Sequence, residues 1–116
     1  MKLKKIKKLL ADKIESYTVV AKEKDEQGNV YEVEYTIDCS AIEPEKRMLY
    51  ELFKDPIYEG LKNFKVDTVF SGKNGFVVYL KAGRKLTKFK EIAKQNKIQI
   101  KSTEPELIET TKYAVV

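Results

Sequence analysis

Apolar side chains recur at helical spacing through the opening of the chain: Leu3, Ile6, Leu10 and Ile14 share a line with Tyr17, while Lys4, Lys5 and Lys8 point the other way. The pattern predicts an amphipathic helix of about fourteen residues. In the next stretch, YTVVAKEKDEQGNVYEVEYTIDC, the period changes to two around Gln27-Gly28-Asn29, which predicts a hairpin. Tyr31, Val33, Tyr35, Ile37 and Cys39 line one face of its second strand, and Glu32, Glu34, Thr36 and Asp38 line the other. Such alternation predicts a sheet with one wet, acidic face.

Ser40, three residues before Glu43 and followed by Pro44, suits a helix start, and Met48, Leu49, Leu52 and Phe53 supply its buried stripe. Asp55-Pro56 ends that helix and begins a short second one through Leu61. In NFKVDTVFSGKNGFVVYLKAG, Phe64, Val66, Thr68 and Phe70 alternate, Lys73-Asn74-Gly75 turns, and Phe76, Val78 and Leu80 alternate again, which predicts a second hairpin. A further helix takes Leu86, Phe89, Ile92 and Ala93 inward and stops at Asn96. Lys97 to Ser102 reads as a strand, Glu104-Pro105-Glu106 as a loop or single turn, and Lys112 to Val116 as a last strand. The order suggests three αββ units, and Lys2-Leu3 with Lys5 and Lys7 matches Lys85-Leu86 with Lys88 and Lys90 in offset. The expected architecture is one α+β domain over residues 1–116: a mainly antiparallel sheet with helices on one face, in the order α-β-β-α-β-β-α-β-β.

Composition sharpens this picture mainly through charge. The net +5 hides blocks: residues 1–14 hold six lysines against Asp12, residues 15–80 hold eight bases against thirteen acids, and residues 81–101 hold eight bases against Glu91. Two basic segments bracket an acidic middle, a distribution that steers toward a charged partner better than the net charge does. If the two lysine-rich helices lie side by side, Lys4, Lys5, Lys8, Lys88, Lys90 and Lys94 form one patch able to neutralise phosphates. Of the 23 bases 21 are lysine, so reading of guanine edges by arginine is not expected. No apolar run reaches the eighteen or so residues that cross a bilayer, and Leu9-Leu10-Ala11 is too short for a signal-peptide core. The apolar side of the first helix lacks Trp and Phe, so membrane attachment is not expected either. The single cysteine, Cys39, falls on the apolar side of its strand and reads as a buried thiol in a reducing, cytoplasmic setting.

Candidate chemistry is sparse. Histidine is absent, which removes the commonest general base and transition-metal ligand, and no cysteine cluster can hold zinc. The five glycines form no phosphate-binding loop, and Ser71-Gly72-Lys73-Asn74-Gly75 lies between two strands as a hairpin turn does. A nuclease needs only acids for magnesium and a nearby lysine, and Asp67 and Lys81 could face each other across the second hairpin, but the usual E-x-K triplet has Tyr79 in place of its glutamate. The αββαββα order is similar to the LAGLIDADG homing-endonuclease fold, whose motif Leu9-Leu10-Ala11-Asp12 only echoes. The reading is therefore non-enzymatic, with no cofactor and no metal. Binding surfaces remain. Val77 and Tyr79 fall opposite the buried face of their strand, with Val69 across the turn, as a second packed face, a homodimer seam or a docking patch. Glu32, Glu34 and Asp38 repeat on one face, and like charges in a row are costly unless solvent or a basic partner relieves them.

The opening KLKKIKKLL running into TVVAKEKDEQGNVYEVEY, with the later LKNFKVDTVFSGKNGFVVYL, resembles the small accessory proteins carried by bacteriophages of low-GC bacteria. The resemblance implies a non-enzymatic protein of the host cytoplasm that binds and blocks a host protein or nucleoprotein complex, often a defence component. Glu32, Glu34, Asp38, Val77 and Tyr79 are the expected contact residues. Nonspecific nucleic-acid binding through the two basic helices is the alternative.

Overall fold

The computed structural model describes residues 1–6, 14–39 and 56–109. β1 (Ile14–Lys24) and β2 (Val30–Asp38) form the first hairpin, in register from Ser16 opposite Asp38 to Lys24 opposite Val30. Asp25 builds its turn. One carboxylate oxygen accepts the backbone N–H groups of Gln27 and Asn29, both at 2.9 Å, and the other accepts the Asn29 amide. That amide and the backbone donors hold the Asp25 carboxyl below its ordinary value. Gly28 supplies the positive φ the turn requires, at 85°.

β3 (Lys65–Gly72) and β4 (Gly75–Lys81) form the second hairpin about Lys73-Asn74. β4 then lies parallel to β1, placing Tyr17 beside Val78 and Val19 beside Leu80. The sheet order is β3-β4-β1-β2-β5, where β5 is Lys101–Ser102, and β6 (Glu106–Glu109) pairs with β2 as well. β5 and β6 share one edge of β2 as a single interrupted strand. Thr103 bridges the gap, its N–H donating to the Glu34 carbonyl while its hydroxyl accepts from the Glu34 N–H, and Pro105, which has no N–H to donate, sits where the ladder breaks.

α1 (Pro56–Leu61) and α2 (Leu86–Gln95) join the sheet in one core. The sheet contributes Tyr17, Val19, Ile37, Val78 and Leu80, α1 contributes Ile57 and Leu61, and α2 contributes Phe89, Ile92 and Ala93. Gly60 lets the helices approach, since a Cβ there would stand 2.9 Å from the Ile92 side chain. Asn96 ends α2 by donating from its amide to the Ile92 carbonyl at 2.8 Å.

The expected mainly antiparallel sheet with three helices on one face is overturned. The sheet is mixed, with a parallel pair at its centre, and among the described residues α2 is the one helix longer than two turns. The opening pattern misleads because its apolar residues are shared between two parts of the sheet. Leu3 lies in a single 3-10 turn, Leu3–Lys5, with its N–H bonded to the Phe64 carbonyl, and Lys2 bridges to Lys65. Ile14 belongs to β1, opposite Phe76. Glu106, expected in a loop, begins β6. The helix expected across Met48 to Phe53, the strand expected over Lys112 to Val116, and Lys8 lie outside the described residues.

Candidate functional site

Directly opposed residues in paired strands share a face, so the registers define rows of side chains across the sheet. On the face turned away from the core, the first row runs Phe70, Val77, Ser16 and Asp38. The second runs Thr68, Tyr79, Thr18, Thr36 and Lys101. Toward the next level, Lys2, Lys65 and Lys81 stand opposite one another on the β3 side, and Val20 faces Glu34 on the β2 side. The last row is Lys22, Glu32 and Glu106. None of these side chains belongs to the core cluster.

This outer face therefore gathers Glu32, Glu34, Asp38, Val77 and Tyr79, contributed by two strands that do not touch. Their chemistry differs from place to place. Asp38 is held by the Lys101 ammonium at 2.7 Å, whereas Glu32 has Lys22 on one side and Glu106 on the other. The Thr18 and Thr36 hydroxyls bond each other at 2.9 Å in the centre, where Thr18 is 3% exposed. Phe70 meets Tyr79 edge to face at 5.6 Å and stands 55% exposed.

Phe70 is the residue that alternation misplaces, since strict period two from Phe64 assigns it to the core and sends Val69 outward. The register shifts between Val66 and Thr68, leaving Asp67 as an extra residue in β3. One inserted residue reverses the facing of everything beyond it, so Val69 packs against the core and Phe70 joins Val77 outside. The signal was present in the sequence: an aspartate in the middle of a β-branched run suits a bulge better than a regular strand. The expected facing of Asp67 and Lys81 is overturned as well, since Lys81 stands opposite Lys65. Among the described residues no group of three acids or cysteines lies close enough to hold a metal ion.

The described lysines expected to act together come from two separate elements. Lys4 and Lys5 are exposed beside β3, the Lys4 N–H bonding the Lys62 carbonyl, in a turn and not in a helix. Lys88, Lys90 and Lys94 lie on α2 and are exposed. Lys90 and Lys94 border a shallow groove of about 390 Å³ with Tyr35, Ile98 and Ile100, and the Lys90 ammonium sits 4.3 Å over the Tyr35 ring. The Tyr35 hydroxyl donates to the Glu23 carboxylate. That bond, with burial and the carboxylate charge, pushes the phenol up to about 12 from 10.0. Because the folded phenol holds its proton more tightly than the unfolded one, its contribution to stability is whole below pH 10.0 and is lost as the pH climbs toward about 12. Tyr35→Phe should therefore melt below the parent at neutral pH, and thermal melts taken across that alkaline interval should show the gap closing.

No helix among the described residues is long and apolar enough to cross a membrane. Compared with known proteins, the chain matches no family model, no curated sequence and no solved structure.

Proposed function

We propose that the protein is a small, non-enzymatic binding protein that blocks a host macromolecule, such as a defence component, by stoichiometric binding through the outer face of its sheet. The observation that carries this reading is the Phe70–Tyr79 pair, an exposed ring against a half-buried one, on a face whose side chains stand outside the hydrophobic core cluster while Glu32 and Glu34 line its far side. Apolar surface left in water favours a partner that covers it, and an acidic border selects a basic one. Val77 and Tyr79 would make the apolar contact, and Glu32, Glu34 and Asp38 would set its charge. Its place of action is the host cytoplasm, as the resemblance to phage accessory proteins implies.

Pull-down from host lysate, with and without nuclease, separates a protein partner from a nucleic-acid bridge. Once the partner is in hand, Glu32→Lys combined with Glu34→Lys should abolish the complex while thermal stability stays within a few degrees, because both side chains sit on the solvent side of β2. Titration should saturate at one to one. Undiminished binding by the double variant discards this surface, and repeated processing of a substrate by trace protein discards the class.

A further inference from the structure

We infer that the β3–β4 half of the outer face is a binding site for single-stranded nucleic acid, with Lys2, Lys65 and Lys81 holding phosphates and Tyr79 and Phe70 stacking bases. This site shares the face with the proposed protein contact but does not depend on it. Three lysines directly opposite one another on adjacent chain segments repel, and such an arrangement weakens a sheet unless an anion compensates. The described residues provide no such compensation. The ion pairs recorded among them are Lys62 with Glu59 and Lys101 with Asp38, and Asp67, exposed in the bulge beside Lys65, pairs with neither Lys65 nor Lys81.

The aromatic pair stands next to this row. Strands rise about 3.3 Å per residue, so the lysine row, the Tyr79 row and the Phe70 row follow one another at intervals of roughly 7 Å along β4. A nucleic-acid strand whose backbone crosses the sheet over the lysine row can place phosphates there and turn its bases along β4 onto the two rings, the combination used by platforms for single strands. Across the sheet Glu32, Glu34 and Glu106 repel phosphates, which confines the strand to the β3–β4 half and keeps the site to a few nucleotides. Sequence preference should be weak. No arginine stands in these rows, and the central Thr18 and Thr36 hydroxyls are already bonded to each other. A duplex hides the base faces inside its own stack and should bind less tightly.

Fluorescence anisotropy with a labelled oligothymidylate, its duplex counterpart and the full chain tests this. Between about 50 mM and 200 mM salt, log affinity for the single strand should fall against log salt with a slope near −2, as three phosphate contacts predict. Lys65→Gln with Lys81→Gln should weaken binding at least tenfold and flatten the slope by about 1.4. Phe70→Ala should weaken binding about tenfold with the slope unchanged, since stacking carries no counterion release. The lysine variant should also melt no lower than the parent, because it relieves the opposed charges. Lys97→Gln, exposed beyond the end of α2, is the control and should bind as the parent does. Glu32→Lys with Glu34→Lys should bind the oligonucleotide at least as tightly as the parent, so failure of the protein-contact surface leaves this result standing. The inference is overturned by no binding at about 50 mM salt, by equal affinity for duplex and single strand, or by sedimentation showing that a second copy of the chain occupies the face and excludes the oligonucleotide.

Discussion

Phe89→Ala is expected to lower the stability of the fold by about 3–5 kcal/mol, a loss comparable with the whole stability of many small domains. The ring is fully buried at the middle of α2, 6.5 Å from the Phe64 ring and tilted 54° to it. Phe64 in turn accepts the opening segment, since its carbonyl bonds the Leu3 N–H, and the Lys85 ammonium covers its ring at 5.1 Å. Removing the Phe89 ring leaves a cavity where α2 meets the residues that lead into β3. Neighbouring groups fill it only in part, because Gly60 and Ile92 already hold the two helices at their closest approach. Urea denaturation followed by circular dichroism should show a lower midpoint with the slope nearly unchanged. A loss below about 1 kcal/mol would mean that α2 is not part of the cooperative core.

The parts of this fold that were legible are those whose partners are close in sequence. β2 shows its two faces plainly, with Val33, Ile37 and Cys39 buried and Glu32, Glu34 and Asp38 outside the core. In α2, Phe89, Ile92 and Ala93 fall inward as their spacing requires. The parallel contact of β1 with β4 left no local mark, because nothing in the residues around Tyr17 specifies Val78 as a neighbour more than sixty positions away. β6 was hidden for a different reason. Glu106-Leu107-Ile108-Glu109 does not alternate, follows a proline and is bulged against Val30 and Tyr31, so it is an edge strand defined by β2 and not by its own pattern. The candidate site was half legible. Its acidic row and Val77 with Tyr79 follow from period two, whereas the lysine row needs the pairing of Lys2 with Lys65, and Phe70 needs the bulge.

A bipolar face arises from these pairings without any bipolar segment in the sequence. β3 and β4 carry Lys65 and Lys81 to one side, and β2 with β6 carries Glu34, Glu32 and Glu106 to the other. The block charges along the chain assign the positive pole to the opening segment and α2. The sheet builds a further one by setting Lys65, from the block with excess acid, between Lys2 of the opening segment and Lys81 at the start of the second basic block. Linear charge counting cannot find a cross-strand cluster, because its members are separated along the chain and joined only by register.

The bulge at Asp67 gives the second large effect, and it separates two deletions of neighbouring residues. Val66 faces the core opposite Leu80, Asp67 is the extra residue, and Thr68 resumes the register opposite Tyr79. Deleting Asp67 leaves Val66 opposite Leu80 and Thr68 opposite Tyr79 in an unbroken ladder, so Phe70 keeps its place beside Val77. Stability should then change by no more than about 1 kcal/mol, with the lost twist of the bulge set against a more regular pairing. Deleting Val66 instead puts Asp67 opposite Leu80, or slips the strand so that Lys65 takes that place. Either outcome removes an apolar group from the core and presses a charge against it, at a cost of about 3 kcal/mol or more. Chemical denaturation of the two deletion variants beside the parent reads this contrast. Equal losses in both would show that Asp67 is an ordinary ladder residue, and Phe70 would then have no reason to stand on the outer face.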